Sequence, residues 1–165
     1  MLPRAAGVKP LPSPSMVGVA AVVLTGQKLP VPLASLEPTP KSQGEIEAAV
    51  CDGIACFMQA FMGRGPKSIH VHLVTDLVVV RLQGVLSSAE QHLIQTIEPT
   101  KGRDLVKSLR THLAEVSRGQ LGEVIERACQ IPCVSMHHDI STTTGEEVFV
   151  FRLKEPPVMR DPRRR

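Results

Sequence analysis

His70 and His72, together with His137, His138 and Asp139, are the residue types that hold a borderline cation, because imidazole nitrogens and carboxylate oxygens present lone pairs to it. Their spacing carries no ligand signature. In a strand, residues two apart share a face. His70 and His72 therefore fall together, on the side that Ile69, Val71 and Leu73 leave to solvent, and nothing aligns them with His138. Neither a metal site nor any other cofactor is expected.

Two clusters of cations could hold an anion or an acidic partner. Gly63-Arg64-Gly65-Pro66-Lys67 could offer successive backbone N–H groups beside Arg64 and Lys67. It lacks the following helix N-terminus and the Gly-Lys-Ser/Thr ending of a phosphate loop. Arg103, Lys107 and Arg110 recur at i, i+4 and i+7, which gathers three positive charges on one helix face. These five residues are the expected anion- or partner-binding set. No catalytic residue is expected: Ser87 and Ser88 lack a glycine-framed nucleophile elbow, and no cysteine pairs recognisably with a histidine. Cys51, Cys56, Cys129 and Cys133 read as buried thiols. On one helix Cys51 and Cys56 point about 140° apart, too far to share a metal.

The elements that carry these residues follow from periodicity and punctuation. Ser42-Gln-Gly-Glu45 has capping-box spacing, and Ile46, Ala49, Val50, Ile54, Phe57, Met58 and Phe61 follow at helical period, giving a helix over 43–62 that Gly63 to Pro66 stops. Ser68–Val74 and Leu77–Gln83 are β-branched runs joined by Thr75-Asp76, a hairpin. Ser87-Ser-Ala-Glu90 opens a short helix through Ile97. After Thr100 a long helix carries Leu105, Leu109, His112, Val116, Leu121, Val124, Ile125 and Ala128, with Gly119 and Gly122 as weak points. Cys133–Ile140 and Glu147–Leu153 form a second hairpin. The order α-β-β-α-α-β-β specifies an α+β fold: a small four-stranded, mostly antiparallel sheet with about three helices on one face.

Composition sets the limits of this domain. Of 14 prolines, eight precede Gln43 and three follow Glu155, so residues 1–42 read as a disordered Pro-rich linker and 155–165 as a disordered basic tail around a domain at 43–154. Residues 43–153 carry ten Lys/Arg against thirteen acids, a balance of −3, so the net charge of +3 resides in the tails. A mildly acidic domain without Trp or Tyr, whose Phe57/Phe61 and Phe149/Phe151 have core spacing, is not built to grip nucleic acid. The longest apolar run, Met16 to Leu24, has nine residues, against about 20 for a spanning helix. It reads as part of the linker and not as a secretory signal.

Four stretches, in order, carry a family resemblance: Phe61-Met-Gly-Arg-Gly-Pro-Lys67, Leu77 through Glu90, Gly102 through Arg110, and His138-Asp-Ile-Ser-Thr-Thr-Thr-Gly145 on to Phe151. Over about residues 43–153 the chain resembles the MpsC-type domain. That family takes its name from a bacterial sodium-translocating, membrane-potential-generating system, with neighbouring components linked to inorganic-carbon and cation transport. The resemblance implies a soluble, non-enzymatic accessory component, cytoplasmic or peripheral to the inner membrane, whose partner is a membrane transport protein. Homodimerisation is left open. It supplies no catalytic residues. The rival readings are an anion-sensing regulatory domain, which the Arg64 turn and the basic stripe would serve, and a metal-dependent enzyme using the histidines.

Overall fold

The computed structural model describes residues 40–96 and 98–160, so the Met16 to Leu24 run and most of the expected linker lie outside the described residues. Seven elements follow in the expected order: α1 (Gln43–Met62), β1 (Ser68–Val74), β2 (Leu77–Gln83), α2 (Ser88–Thr96), α3 (Pro99–Cys129), β3 (Cys133–Ser141) and β4 (Glu146–Leu153). The capping box opens α1 as its spacing requires. Ser42 Oγ accepts from the Glu45 N–H at 3.3 Å, and Glu45 Oε2 accepts from the Ser42 N–H at 2.6 Å. Gly63, at φ 71°, closes α1 in the left-handed conformation that a side chain would resist.

The four strands form one antiparallel sheet in the order β1-β2-β4-β3, so the two hairpins meet along β2 and β4, and β1 and β3 are the edges. Alternation gives the sheet two unlike faces. Leu73, Val78, Val80, Leu82, Phe149, Phe151 and Leu153 point inward and are buried, together with Ile46, Val50, Ile54 and Met58 of α1. On the outer face of the same strands lie His70, His72, His137 and Asp139, all exposed.

The first half of helix α3 departs from the expected phase, whereas Leu121, Ile125 and Ala128 of its second half are buried. The apolar set Leu105, Leu109 and Val116 was expected to face the core, but these side chains are 55%, 48% and 78% exposed. The buried seam over the same turns is Val106, Arg110, Ala114, Ser117 and Leu121, and it contains two polar residues. The helix also runs without a break through Gly119 and Gly122, which were expected to weaken it. Its N-terminal turns pack on α2 so closely that a Cβ at Gly102 would stand 2.5 Å from the Leu93 carbonyl oxygen. Just beyond β4 the Lys154 N–H donates to Pro132 O at 2.9 Å, and within the stretch expected as a tail the Arg160 N–H donates to Lys41 O at 3.0 Å.

Candidate functional site

Four charged or titratable side chains meet inside the core, between the sheet and α3. Glu147 shares the inner face of β4 with Phe149 and Phe151, in register between Leu82 and Ile140, and is 2% exposed. Arg110, 3% exposed, reaches it from α3 at 3.5 Å. The same guanidinium donates from Nε to Glu90 Oε1 at 2.7 Å, and from Nη2 to Glu90 Oε2 at 2.9 Å and to Val85 O at 2.7 Å. On the far side, His138 Nε2 and Glu147 Oε1 share a hydrogen at 2.8 Å, and the imidazole leans on the Phe149 ring with centroids 4.7 Å apart.

Two carboxylates thus face one guanidinium and one imidazole where the surrounding side chains are apolar. Burial acts to raise the Glu90 carboxyl. Hydrogen bonds from Arg110, from the Ser87 N–H and from the Ser87 hydroxyl, with the arginine's charge, outweigh it and hold the pKa below the ordinary value. Glu90 has two roles at once, since its Oε2 also accepts from the Ser87 N–H at 2.6 Å and closes the capping box of α2. Arg110 Nη1, Glu147 Oε2 and His138 Nδ1 have no hydrogen-bond partner among the described residues. Beside Arg110 and Glu147 is a cavity of about 10 Å³, also bounded by Ser117, Met58 and Phe149. One water needs about 10–15 Å³ of such space, so it admits at most a single such molecule and no organic substrate.

A family model described as the Na+-translocating membrane potential-generating system (MpsC) matches residues 42–155, the whole of this sheet and its helices. The chain belongs to the MpsC family. All four stretches that carried the resemblance fall within the match. Two Bacillus subtilis relatives are similar to it, both described as uncharacterized proteins. YbcI is 32% identical over 113 residues, covering 68% of this chain and 89% of the relative, and YrhF is 32% identical over 101 residues, covering 61% and 80%. No solved structure matches.

In this MpsC chain the five expected site residues do not form one surface. Arg110 is buried, because in the helix direction of Ala114 and Leu121 its turn is covered by α2 and β4, whose Glu90 and Glu147 meet it; Arg103 and Lys107 share that direction on turns left open. Lys107 is exposed and reaches Asp139 across the β3 edge at 3.1 Å, a contact that holds the Asp139 carboxyl below its ordinary value. Arg103 is exposed on the first turns of α3. Arg64 turns to the β2–α2 connection, donating to Gly84 O at 3.2 Å and Leu86 O at 3.4 Å. With Arg110 on Val85 O, two arginines clamp three consecutive carbonyls. The Gly63–Lys67 turn is occupied in the same way, since Gln59 Oε1 accepts the Gly65 N–H at 3.1 Å and its Nε2 donates to Gly63 O at 3.2 Å. Lys67 remains exposed beside Gly84.

Of the histidine group, only His138 joins the buried site. Among the described residues no three His, Cys, Asp or Glu side chains are grouped to hold a metal. All four cysteines are free: burial pushes the Cys129 thiol up to about 11, whereas Cys56 is exposed. Cys56 borders a groove of about 510 Å³ between α1 and α3, whose charged edge consists of Lys41, Glu123 and Arg127 and which no histidine lines. Sequence reasoning missed Glu90 and Glu147. A signal existed for Glu147, which has the same strand parity as Phe149 and Phe151. Glu90 was read only as a cap.

Proposed function

We propose that this chain is a non-catalytic accessory component of a sodium-linked, membrane-potential-generating system, acting by contact with a membrane protein of a cation or inorganic-carbon transport assembly. The observation that carries this reading is the family match across the entire described sheet and its helices. The packing supports it in a second way. The side chains best suited to acid–base chemistry are bonded to one another in the core, beside a cavity too small for a substrate. No helix among the described residues is long and apolar enough to cross a membrane, so the contact falls to a partner that does. The protein then works at the cytoplasmic side of the inner membrane. Arg103 and Lys107, the exposed remainder of the basic stripe, are the cations that meet an acidic segment of that partner.

Capture from detergent-solubilised membranes at native expression tests the reading. The expected result is recovery of an integral membrane protein by the wild-type chain and its loss when Arg103→Glu and Lys107→Glu are combined. The melting temperature of that variant should be unchanged, because exposed ion pairs contribute about 1 kcal/mol or less. Recovery of no integral membrane protein by the wild-type chain sinks the proposal.

A further inference from the structure

The outer face of the sheet is unlike a solvated one. Antiparallel register places His72 of β1, Val79 of β2, Val150 of β4 and His137 of β3 in a single row across it. The next row is His70, Arg81, Val148 and Asp139. Among the described residues α1 and α3 meet the sheet through its buried inner side, and no helix covers the outer one. An apolar centre of Val79, Val148 and Val150 is therefore framed by exposed polar side chains at both edges, the arrangement of a protein interface.

We infer that this face packs against the same face of a second copy, about a two-fold axis lying in the interface and parallel to the strands. Three features single out a second copy as the occupant. The first is charge. The β1–β2 half carries His70, His72 and the cation Arg81, and the β4–β3 half carries the acids Asp139 and Glu146 against Arg152 and His137. Asp139 is also bonded to Lys107 and Glu146 to Arg81 within the chain, and the two halves differ in net sign. That axis lays β1 of one copy over β3 of the other, which sets His70 of each against Asp139 of its mate. The second is the central row, whose order His-Val-Val-His is its own complement under the same rotation: Val79 meets Val150 in the interior and His72 meets His137 at the rim. The third is size. Four strands at about 4.8 Å spacing and seven residues at about 3.3 Å give a face of roughly 440 Å² in projection. Accessible surface exceeds this projection, which puts the face at the small end of specific interfaces, below the roughly 800 Å² per partner of a standard one. Two such faces pack about 10 Å apart with strands nearly aligned. The inference does not depend on the membrane-system reading.

Sedimentation velocity on the full chain over a wide concentration range tests it. Wild type should sediment as a dimer at micromolar concentrations. Combining Val79→Lys with Val150→Lys should raise the dissociation constant roughly 100-fold, the scale of losing two central contacts. Should that variant fail to fold, the exposed pair keeps the test alive. His70→Asp alone and Asp139→His alone should each weaken the dimer, and the two combined should restore it, a rescue that a structural role within one chain does not produce. A wild-type chain that stays monomeric overturns the inference, even if another protein covers the face. So does a dimer indifferent to the Val79 and Val150 replacements, or one whose affinity the His70/Asp139 exchange does not restore.

Discussion

Arg110 is the residue on which the interior turns. Its guanidinium faces both Glu90 and Glu147 and holds Val85 O, so removing it leaves two carboxylates in the core with only the His138 imidazole, on Glu147, to face them. Arg110→Met should cost about 3–5 kcal/mol in urea unfolding, the scale of breaking a buried pair from one side. A solvated stripe residue would cost about 1 kcal/mol or less, so the measurement separates the two placements of Arg110. Adding Glu90→Gln and Glu147→Gln to Arg110→Met should recover much of the loss, since the uncompensated charges are then gone. The acid limb of the stability curve should change as well. The folded Glu90 carboxyl is depressed, so its contribution is present above its unfolded pKa and is lost as pH falls through the folded value. Arg110→Met removes the largest cause of that depression and leaves only the Ser87 hydrogen bonds, so its stability should fall less steeply over the same acid range.

At the scale of elements, α1 and the two hairpins were legible because each is marked by capping or turn chemistry at its ends and by apolar periodicity between them. The phase of the second half of α3, with Leu121, Ile125 and Ala128 buried, was legible too; that of the first half was not. Leu105, Leu109 and Val116 form a helical apolar stripe as regular as the true core seam, and hydrophobicity alone prefers it to a seam containing Arg110 and Ser117. What decides the phase is a tertiary contact that periodicity does not encode: Gly102 lies against the Leu93 carbonyl of α2, and Arg110 then meets the Glu90 cap. The same blind spot hid the site, because a buried arginine and a cationic surface stripe share one spacing. Glycine substitutions test the packing. Gly102→Ala puts a methyl group 2.5 Å from backbone and should destabilise by about 1–3 kcal/mol. Gly119→Ala and Gly122→Ala, with nothing within 4 Å, should each stabilise the helix by about 0.5–1 kcal/mol in the same thermal-unfolding assay. A stabilising Gly102→Ala would show that α2 and α3 do not approach as described.

For the whole molecule, the family relation was readable from four separated stretches, while the manner of action was not, because contact surfaces have no fixed spacing in sequence. The chain keeps its strongest polar constellation inside and presents Arg103, Lys107 and a mixed sheet face outside, the groups on which the proposed contacts rest. Membership in a family described as a sodium-translocating, potential-generating system is what the proposed membrane contact rests on. The most direct test is the sodium-dependent membrane potential of cells lacking this protein, read with a potential-sensitive dye and compared with cells in which the wild-type chain or the Arg103→Glu/Lys107→Glu variant is restored at equal abundance. The account predicts a reduced sodium-dependent potential in the deletion, full recovery with wild type and no recovery with the variant. A deletion strain whose sodium-dependent potential equals that of the parent would contradict it.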